Sequence, residues 1–271
     1  MGSIVGGDMV QGLVLALALG AARSVPIVLL VPGFGGRALP VPLRVGIGLL
    51  LASFSLPHLA SGTAATLRHS PGAGAWILIA ARESLTGATV GLVVSFFFRA
   101  AEAAGGLVDV LRGASFAEVL APDSGARSSP LGALYLLLAT VVFLELGGIG
   151  RLAVALARSY EALPLGGGPG ARVAGLESQL QMMLVASAKL VESAVGLAAP
   201  VIVALLLADV ALGVVGRVTP ALPVYFAAMP LKGVLSIGVV LLGVAALDAA
   251  LVAGWPAWSG LAERALGLHS R

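Results

Sequence analysis

Long apolar runs recur along the whole chain. They are rich in Leu, Val and Ala, and they exceed the about four to eight residues of a typical strand, so they predict helices. The alternating pattern typical of barrel strands is absent. The sequence therefore predicts an all-α fold. The runs are Met9–Ala22, Val25–Phe34, Leu43–Ala60, Ala75–Phe98, Leu131–Leu146, Met182–Gly216 and Ala221–Ala253.

Two stretches interrupt the apolar pattern. Arg99–Pro130 is charged and Gly-rich and contains the turn-like sequence APDSGARSSP, while Glu161–Gln181 contains LPLGGGPG, a strong helix-breaking signal. We place the boundary between a longer N-terminal part, 1–165, and a shorter C-terminal part, 166–271, at the second interruption. A third Gly-rich segment, PGFGGR at Pro32–Arg37, predicts a turn between two helices, because no Lys-Ser/Thr pair follows it as a phosphate-binding loop would require.

The composition points to a membrane. Hydrophobic residues make up 59% of the chain and charged residues only 11%, less than half of the roughly 25% charged residues in soluble domains. A soluble fold of this size could not hide so much apolar surface, so lipid or other subunits must cover it. No basic residue precedes the first apolar run, as a secretory signal would require, and we expect this segment to be retained as the first helix.

Several charges lie inside the apolar runs, where each costs about 2.5–3.5 kcal/mol at the centre of a membrane helix. Lys189 and Glu192 are three residues apart on one helical face and can pair. Three interpretations are open: the charges mark helix ends at the membrane interface, they line the ion pathway of a transporter, or the helices pack against sibling subunits around a pore. The charges are Arg82, Glu83, Glu145, Lys189, Glu192, Asp209 and Lys232.

Small residues recur at four-residue spacing, which lets the backbones of membrane helices approach closely. Gly12, Ala16 and Gly20 follow this spacing, and so does the stripe formed by Glu83, Gly87 and Gly91. With 37 glycines in the chain, such matches also arise by chance.

The usual signatures of an enzyme or a cofactor site are absent. The chain has no Cys, and His58, His69 and His269 are too scattered for a metal site, so we expect neither metal nor cofactor. Nucleotide-binding and metalloprotease motifs are missing, and the Gly113–Ser115 segment lacks the closing glycine of a hydrolase elbow. The basic residues are dispersed, which argues against nucleic acid as a partner.

Four segments of the chain, taken in order, carry a set of motifs: RSVPIVLLVPGFGGRALPVPLRVGIGLLLA, ESLTGATVGLVVSFFFRAAEAAGGLVDVLRG, APDSGARSSPLGALYLLLATVVFLELGG and AAPVIVALLLADVALGVVGRVTPALPVYFAAMPLKGVLSIGVVLL. The motifs include a Glu-xxx-Gly-xxx-Gly helix, a Ser-Pro-Leu segment and a Pro-Leu-Lys pattern near the end. By these motifs the chain resembles the FliR/SctT family, the export-gate subunits of flagellar and virulence-type type III secretion systems. Its motifs resemble those of the virulence (injectisome, SctT) branch more than those of the flagellar branch.

The resemblance implies a multi-pass subunit of the bacterial inner membrane, built from membrane-associated helical hairpins within a helical export-gate assembly. Residues 1–165 would be like FliP/SctR and residues 166–271 like FliQ/SctS. Subunits of those two kinds, an FlhB/SctU-like switch protein, an FlhA/SctV-like gate protein and unfolded secretion substrates would be its partners. The alternative from another class is a proton- or ion-coupled secondary transporter; an enzyme is not expected.

The resemblance also implies two groups of functional residues. A loop at 112–123 would project into the pore as a plug. The charges and small residues inside the apolar runs would pack against other subunits, at Glu83, Gly87, Gly91, Asp209, Arg217 and Lys232. The predicted plug residues are Arg112, Gly113, Ala114, Ser115, Phe116, Ala117, Glu118, Val119 and Leu120.

Overall fold

The computed structural model describes residues 2–36, 38–57, 73–114, 129–163, 176–219 and 224–268. Every element within these ranges is helical, which confirms the predicted all-α class. A short 3-10 turn, Pro32–Phe34, follows the first helix. The α-helices are α1 (Gly2–Leu30), α2 (Val41–Phe54), α3 (Ala73–Leu111), α4 (Pro130–Glu145), α5 (Gly148–Ala162), α6 (Leu176–Val218), α7 (Val224–Leu242) and α8 (Val244–Ala265).

Helices α1, α3 and α6 extend beyond the apolar runs that predict them. The first run and residues 25–30 of the second form the single helix α1, because Arg23, which separates the two runs in sequence, is buried with its charge compensated. Helix α3 continues past Phe98 to Leu111. This extension is rich in Ala, the strongest helix former, and its Arg99 and Glu102 pair three residues apart.

The predicted turn after the first helix is confirmed over residues 32–36. Gly35 and Gly36 both have positive φ angles, +92° and +48°, which residues other than glycine rarely adopt. Arg37 lies outside the described residues.

One compact unit comprises Met1–Phe96, Phe143–Ser187 and Pro256–Arg271. Its helices α1 and α2 pack closely: Ser24 Oγ donates to the carbonyl of Gly48 at 2.7 Å, and a Cβ at Gly48 would overlap Val25. Arg44 Nη1 donates to the Leu29 carbonyl at 3.2 Å, close to the end of α1. From the first contact to the second, the residue number rises along α1 and falls along α2, so the two helices form an antiparallel hairpin.

The other compact unit comprises Phe97–Val142 and Ala188–Trp255. An aromatic cluster lies in its core, where the ring of Phe97 is 5.3 Å from both Phe98 and Trp255 in edge-to-face geometry. A cavity of about 140 Å³ lies between α4, α6, α7 and α8 of this unit. Aliphatic side chains and Tyr135 line it, and so does Gly196, four residues before Pro200 in α6.

These units do not coincide with the predicted parts 1–165 and 166–271, since each unit draws residues from both. The predicted parts are defined by likeness to partner subunits rather than by compactness, and they stay a prediction.

Within the described residues, four helical segments are long and apolar enough to cross a membrane. A fifth span results if the bent pair of α4 and α5 crosses as one. The four segments are Gly12–Leu30, Gly74–Leu111, Gln179–Val218 and Val244–Ala265.

Candidate functional site

A buried ion pair joins three helices of the first unit. Arg23 on α1 is 1% exposed, and its Nε donates to Glu83 Oε2 on α3 at 2.7 Å. Its Nη1 donates to Ser159 Oγ on α5 at 2.9 Å, and its Nη2 donates to the carbonyl of Leu163, just after α5, at 3.0 Å. The guanidinium is therefore compensated by one carboxylate and by two neutral oxygens.

An aromatic ring completes the surroundings of Arg23. The guanidinium carbon lies 4.4 Å from the centroid of the Tyr160 ring, which is cation–π geometry. The Tyr160 hydroxyl donates to the Gly20 carbonyl at 3.0 Å, one turn before Arg23 on α1. We call Arg23, Glu83, Ser159 and Tyr160 the arginine lock, because together they hold α1, α3 and α5 in one arrangement.

The predicted small-residue stripe continues from this lock along α3. A Cβ at Gly87 would overlap the backbone carbonyl of Arg23, and one at Gly91 would lie 3.1 Å from Ile27 and Leu30. Residue numbers rise together along both helices, so α1 and α3 run in the same direction. The stripe packs against α1 of the same chain; contacts of its residues with another subunit stay a prediction.

A second polar cluster joins the end of α3 to the start of α4 in the second unit. Asp109 is 5% exposed, and its Oδ1 accepts a hydrogen bond from Arg112 Nε at 2.7 Å. Its Oδ2 accepts from Ser129 Oγ at 2.6 Å and from the backbone N–H of Leu131 at 3.0 Å. We call Asp109, Arg112 and Ser129 the aspartate clasp. It satisfies a free N–H in the first turn of α4, which would otherwise need a capping partner.

The charges of α6 and α7 form two further pairs. Lys232 on α7 forms an ion pair with Asp209 on α6, and both were predicted as inter-subunit residues. Lys189 Nζ lies 3.1 Å from Glu192 Oε1, which confirms the predicted local pair. Arg217 is exposed in the last turn of α6. The predicted contacts of Asp209, Arg217 and Lys232 with other subunits stay open.

The charges within the apolar runs differ in their surroundings. Glu83 is buried with Arg23, whereas Glu145 and Glu192 are exposed on the described chain. Among the described residues, no group of three His, Asp or Glu side chains is arranged to hold a metal ion. The three histidines lie outside those residues.

Residues 14–254 match the sequence family described as bacterial export proteins, family 1. The match covers most of the 271-residue chain. The chain belongs to this family.

Curated relatives of this chain come from both flagellar and secretion systems. It is 28% identical to the flagellar biosynthetic protein FliR of Pectobacterium carotovorum subsp. carotovorum, over 82% of this chain and 80% of the relative. It is 29% identical to the secretion system apparatus protein SsaT of Salmonella typhimurium, over 82% of this chain and 83% of the relative. It is also 29% identical to the Yop proteins translocation protein T of Yersinia pestis, over 84% of this chain and 85% of the relative.

These relatives confirm the resemblance to the FliR/SctT family. The flagellar and virulence members are almost equally identical to this chain. The closer likeness to the injectisome branch therefore stays a prediction.

The plug prediction falls mostly outside the described residues. Arg112, Gly113 and Ala114 are described and follow α3 directly, with Gly113 at a φ angle of +85°. Ser115, Phe116, Ala117, Glu118, Val119 and Leu120 are not described.

Sequence reasoning missed Arg23 and Ser129. Arg23 lies between the runs Met9–Ala22 and Val25–Phe34, and the pattern of apolar runs gives it no role, although one helix passes through it. Ser129 precedes Pro130, and a Ser followed by Pro at the first helical position is a known helix-start signal. That signal identifies the start of α4, but it does not identify Asp109, the residue 20 positions earlier whose carboxylate binds Ser129.

Proposed function

We propose that this chain is a structural and gating subunit of a type III secretion export apparatus. It forms part of the inner-membrane pore through which unfolded protein substrates pass. The observation that carries the proposal is the match of residues 14–254 to a bacterial export family, with relatives named for flagellar biosynthesis, a secretion apparatus and Yop protein translocation. The chain performs no catalysis and needs no cofactor in this role.

The proposed partners are FliP/SctR-like and FliQ/SctS-like subunits, an FlhB/SctU-like switch protein and an FlhA/SctV-like gate protein. Large apolar side chains exposed along α6 and α7 support this assembly, because they need a cover of lipid or protein. We propose that the chain is a multi-pass protein of the bacterial inner membrane. We favour the injectisome branch because the residues of the chain's motifs resemble those of that branch more closely.

Co-purification tests the proposal directly. The tagged chain, expressed with its own FliP/SctR-like and FliQ/SctS-like proteins, is expected to be recovered in a stable complex with both. The same purified chain alone in liposomes is expected to show no ion-coupled uptake. Recovery of the chain without either protein, or ion-coupled transport by the chain alone, would instead favour the secondary transporter.

We further propose that the segment around Phe116 seals the pore in its closed state. Its apolar residues Phe116, Val119 and Leu120 are suited to exclude water, while Gly113, Ala114 and Ser115 are small. Deleting Gly113–Leu120 is expected to make membranes that contain the assembled complex leaky to ions. Bilayer conductance measures the leak.

A matched variant keeps the length of this segment and replaces Phe116, Val119 and Leu120 with Ser. If apolar sealing is the cause, this variant leaks as the deletion does. Conductance at the wild-type level in both variants, with the complex intact, would refute the sealing role.

A further inference from the structure

We propose that the cavity of the second unit is a binding site for a small uncharged molecule with one hydroxyl group. The cavity lies between α4, α6, α7 and α8. The ligand has about the size of a single aromatic ring, as phenol does. Such binding goes beyond the proposed export role and does not depend on it.

The size of the cavity and its lining limit what can bind. The volume is about 140 Å³, and an apolar cavity of about 150 Å³ engineered in another protein binds benzene. Leu197, Val201 and Val240 contribute aliphatic side chains to the wall. Among the described residues that line the cavity, none is charged, so an ion would lose its hydration there without a compensating charge. A single uncharged ring therefore fits both the volume and the lining.

Two polar groups distinguish this lining from a purely apolar one. Tyr135 has the one polar side chain among the described lining residues and is 2% exposed, and its hydroxyl forms no hydrogen bond with another residue that the structure describes. The carbonyl of Gly196 receives no helical hydrogen bond from position 200, because Pro200 has no N–H. Gly196 and Pro200 both line the cavity, and residues four apart share one face of a helix.

A hydroxyl group on the ligand complements these two groups. A hydroxyl both donates and accepts hydrogen bonds, so it can accept from Tyr135 or donate to the Gly196 carbonyl. A ligand made only of hydrocarbon, such as benzene or a lipid tail, would leave the Tyr135 hydroxyl buried without a partner, which costs free energy. The lining therefore favours phenol over benzene.

The cavity opens to the surface of the chain, so a ligand can enter it. The exposed lining residues are Gly196, Pro200, Ala246 and Ala250, and the buried ones behind them include Tyr135, Val201, Val240 and Leu247. An added Cβ at Gly196 meets nothing within 4 Å. A larger side chain at position 196 therefore has room in the fold and would occupy space that the ligand needs.

Fluorine NMR of para-fluorophenol tests the site in the full-length chain, reconstituted in lipid nanodiscs. The signal of the probe is expected to broaden saturably, and unlabelled phenol is expected to reverse the broadening. Empty nanodiscs measure how much probe partitions into lipid alone. Broadening that does not saturate, or that equals the broadening with empty nanodiscs, would overturn the proposal.

Gly196→Leu fills the mouth of the cavity and is expected to abolish the saturable binding. Gly213→Leu is the matched control, because Gly213 lies on the same helix, is exposed and also has nothing within 4 Å of an added Cβ, but does not line the cavity. The control is expected to bind the probe as the wild type does. Far-UV circular dichroism and thermal unfolding check that both variants are folded. Wild-type binding by a folded Gly196→Leu variant would show that the probe binds elsewhere and would overturn the proposal.

Tyr135→Phe tests the hydroxyl group separately from the apolar wall. The loss of one hydrogen bond is expected to weaken the binding of para-fluorophenol about two- to tenfold, while fluorobenzene, which has no hydroxyl, is expected to bind the variant and the wild type equally. If the variant binds para-fluorophenol as tightly as the wild type does, the assignment of a hydroxyl-bearing ligand is overturned. The same holds if the wild type binds fluorobenzene as tightly as para-fluorophenol. Failure of co-purification with the proposed partner subunits changes none of these measurements, so the binding site and the export role are tested independently.

Discussion

At the scale of single residues, the arginine lock explains how an apolar helix carries a charge in its interior. Arg23 is buried in α1, a candidate membrane span, yet each of its three guanidinium nitrogens donates to an oxygen, and one face of the group lies over an aromatic ring. Buried ion pairs stabilise little against a well-packed apolar alternative, but removal of one partner leaves an uncompensated charge. The lock therefore contributes most as a constraint on which helices pack together.

Glu83→Ala tests this constraint. The change leaves the Arg23 charge buried without its carboxylate and is expected to lower the free energy of unfolding by about 3–5 kcal/mol. Thermal or denaturant unfolding of the purified complex in detergent measures the loss. The double variant Arg23→Met with Glu83→Met removes both charges and is expected to cost less than Glu83→Ala alone. A double variant that is less stable than the single one would contradict the explanation.

At the scale of elements, the stripe Glu83, Gly87 and Gly91 makes α3 fit against α1. The acid binds Arg23, and the glycines let the two backbones approach. Small residues at this spacing are typical of close helix packing in membranes. Other helical glycines lack such a neighbour, as at Gly238 in α7, where an added Cβ meets nothing within 4 Å.

Gly87→Ala and Gly238→Ala are therefore expected to act in opposite directions. At Gly87 the new methyl meets the Arg23 carbonyl, and forcing the helices apart is expected to cost about 1–3 kcal/mol. At Gly238 alanine fits freely and gains up to about 1 kcal/mol of helix propensity. Unfolding of the two variants in the same detergent measures the difference. Equal effects of the two changes would refute the close packing of α1 and α3.

At the scale of the whole molecule, the candidate spans differ in how much of them the chain itself covers. The spans in α1 and α3 each have 44% of their apolar window buried, but the span in α6 has only 17%. Leu206, Leu207 and Val210 are among its exposed side chains. Such a helix requires a cover from outside the chain, which suits a subunit of a larger membrane assembly.

Leu207→Lys tests whether this face is covered. Leu207 is 66% exposed on the chain, so a lysine at this position fits the described fold without a steric clash. A charge against lipid or against a neighbouring subunit costs about 2.5–3.5 kcal/mol, so the complex recovered by co-purification is expected to fall steeply. Ser187→Lys on the same helix is the control, because it is exposed beside the Lys189–Glu192 pair. Normal recovery of Leu207→Lys would indicate that water covers this face.

Features that depend on neighbouring residues could be predicted from the sequence. The length and composition of the apolar runs determine helices and a membrane setting, because each helix forms its backbone hydrogen bonds within itself. The turn at 32–36 follows from its glycines, and the Lys189–Glu192 pair follows from a spacing of three residues. The ordered motifs were enough to indicate the export family.

Only the tertiary structure decided which distant residues meet. Arg23 binds a carboxylate 60 residues away, and Asp109 binds a serine 20 residues away across an interhelical connection. The sequence marked Glu83 as a charge in need of a partner but could not name Arg23. A helix fixes which side chains share a face, whereas the packing of helices against one another determines which faces touch, and that packing depends on close approaches such as the one at Gly87.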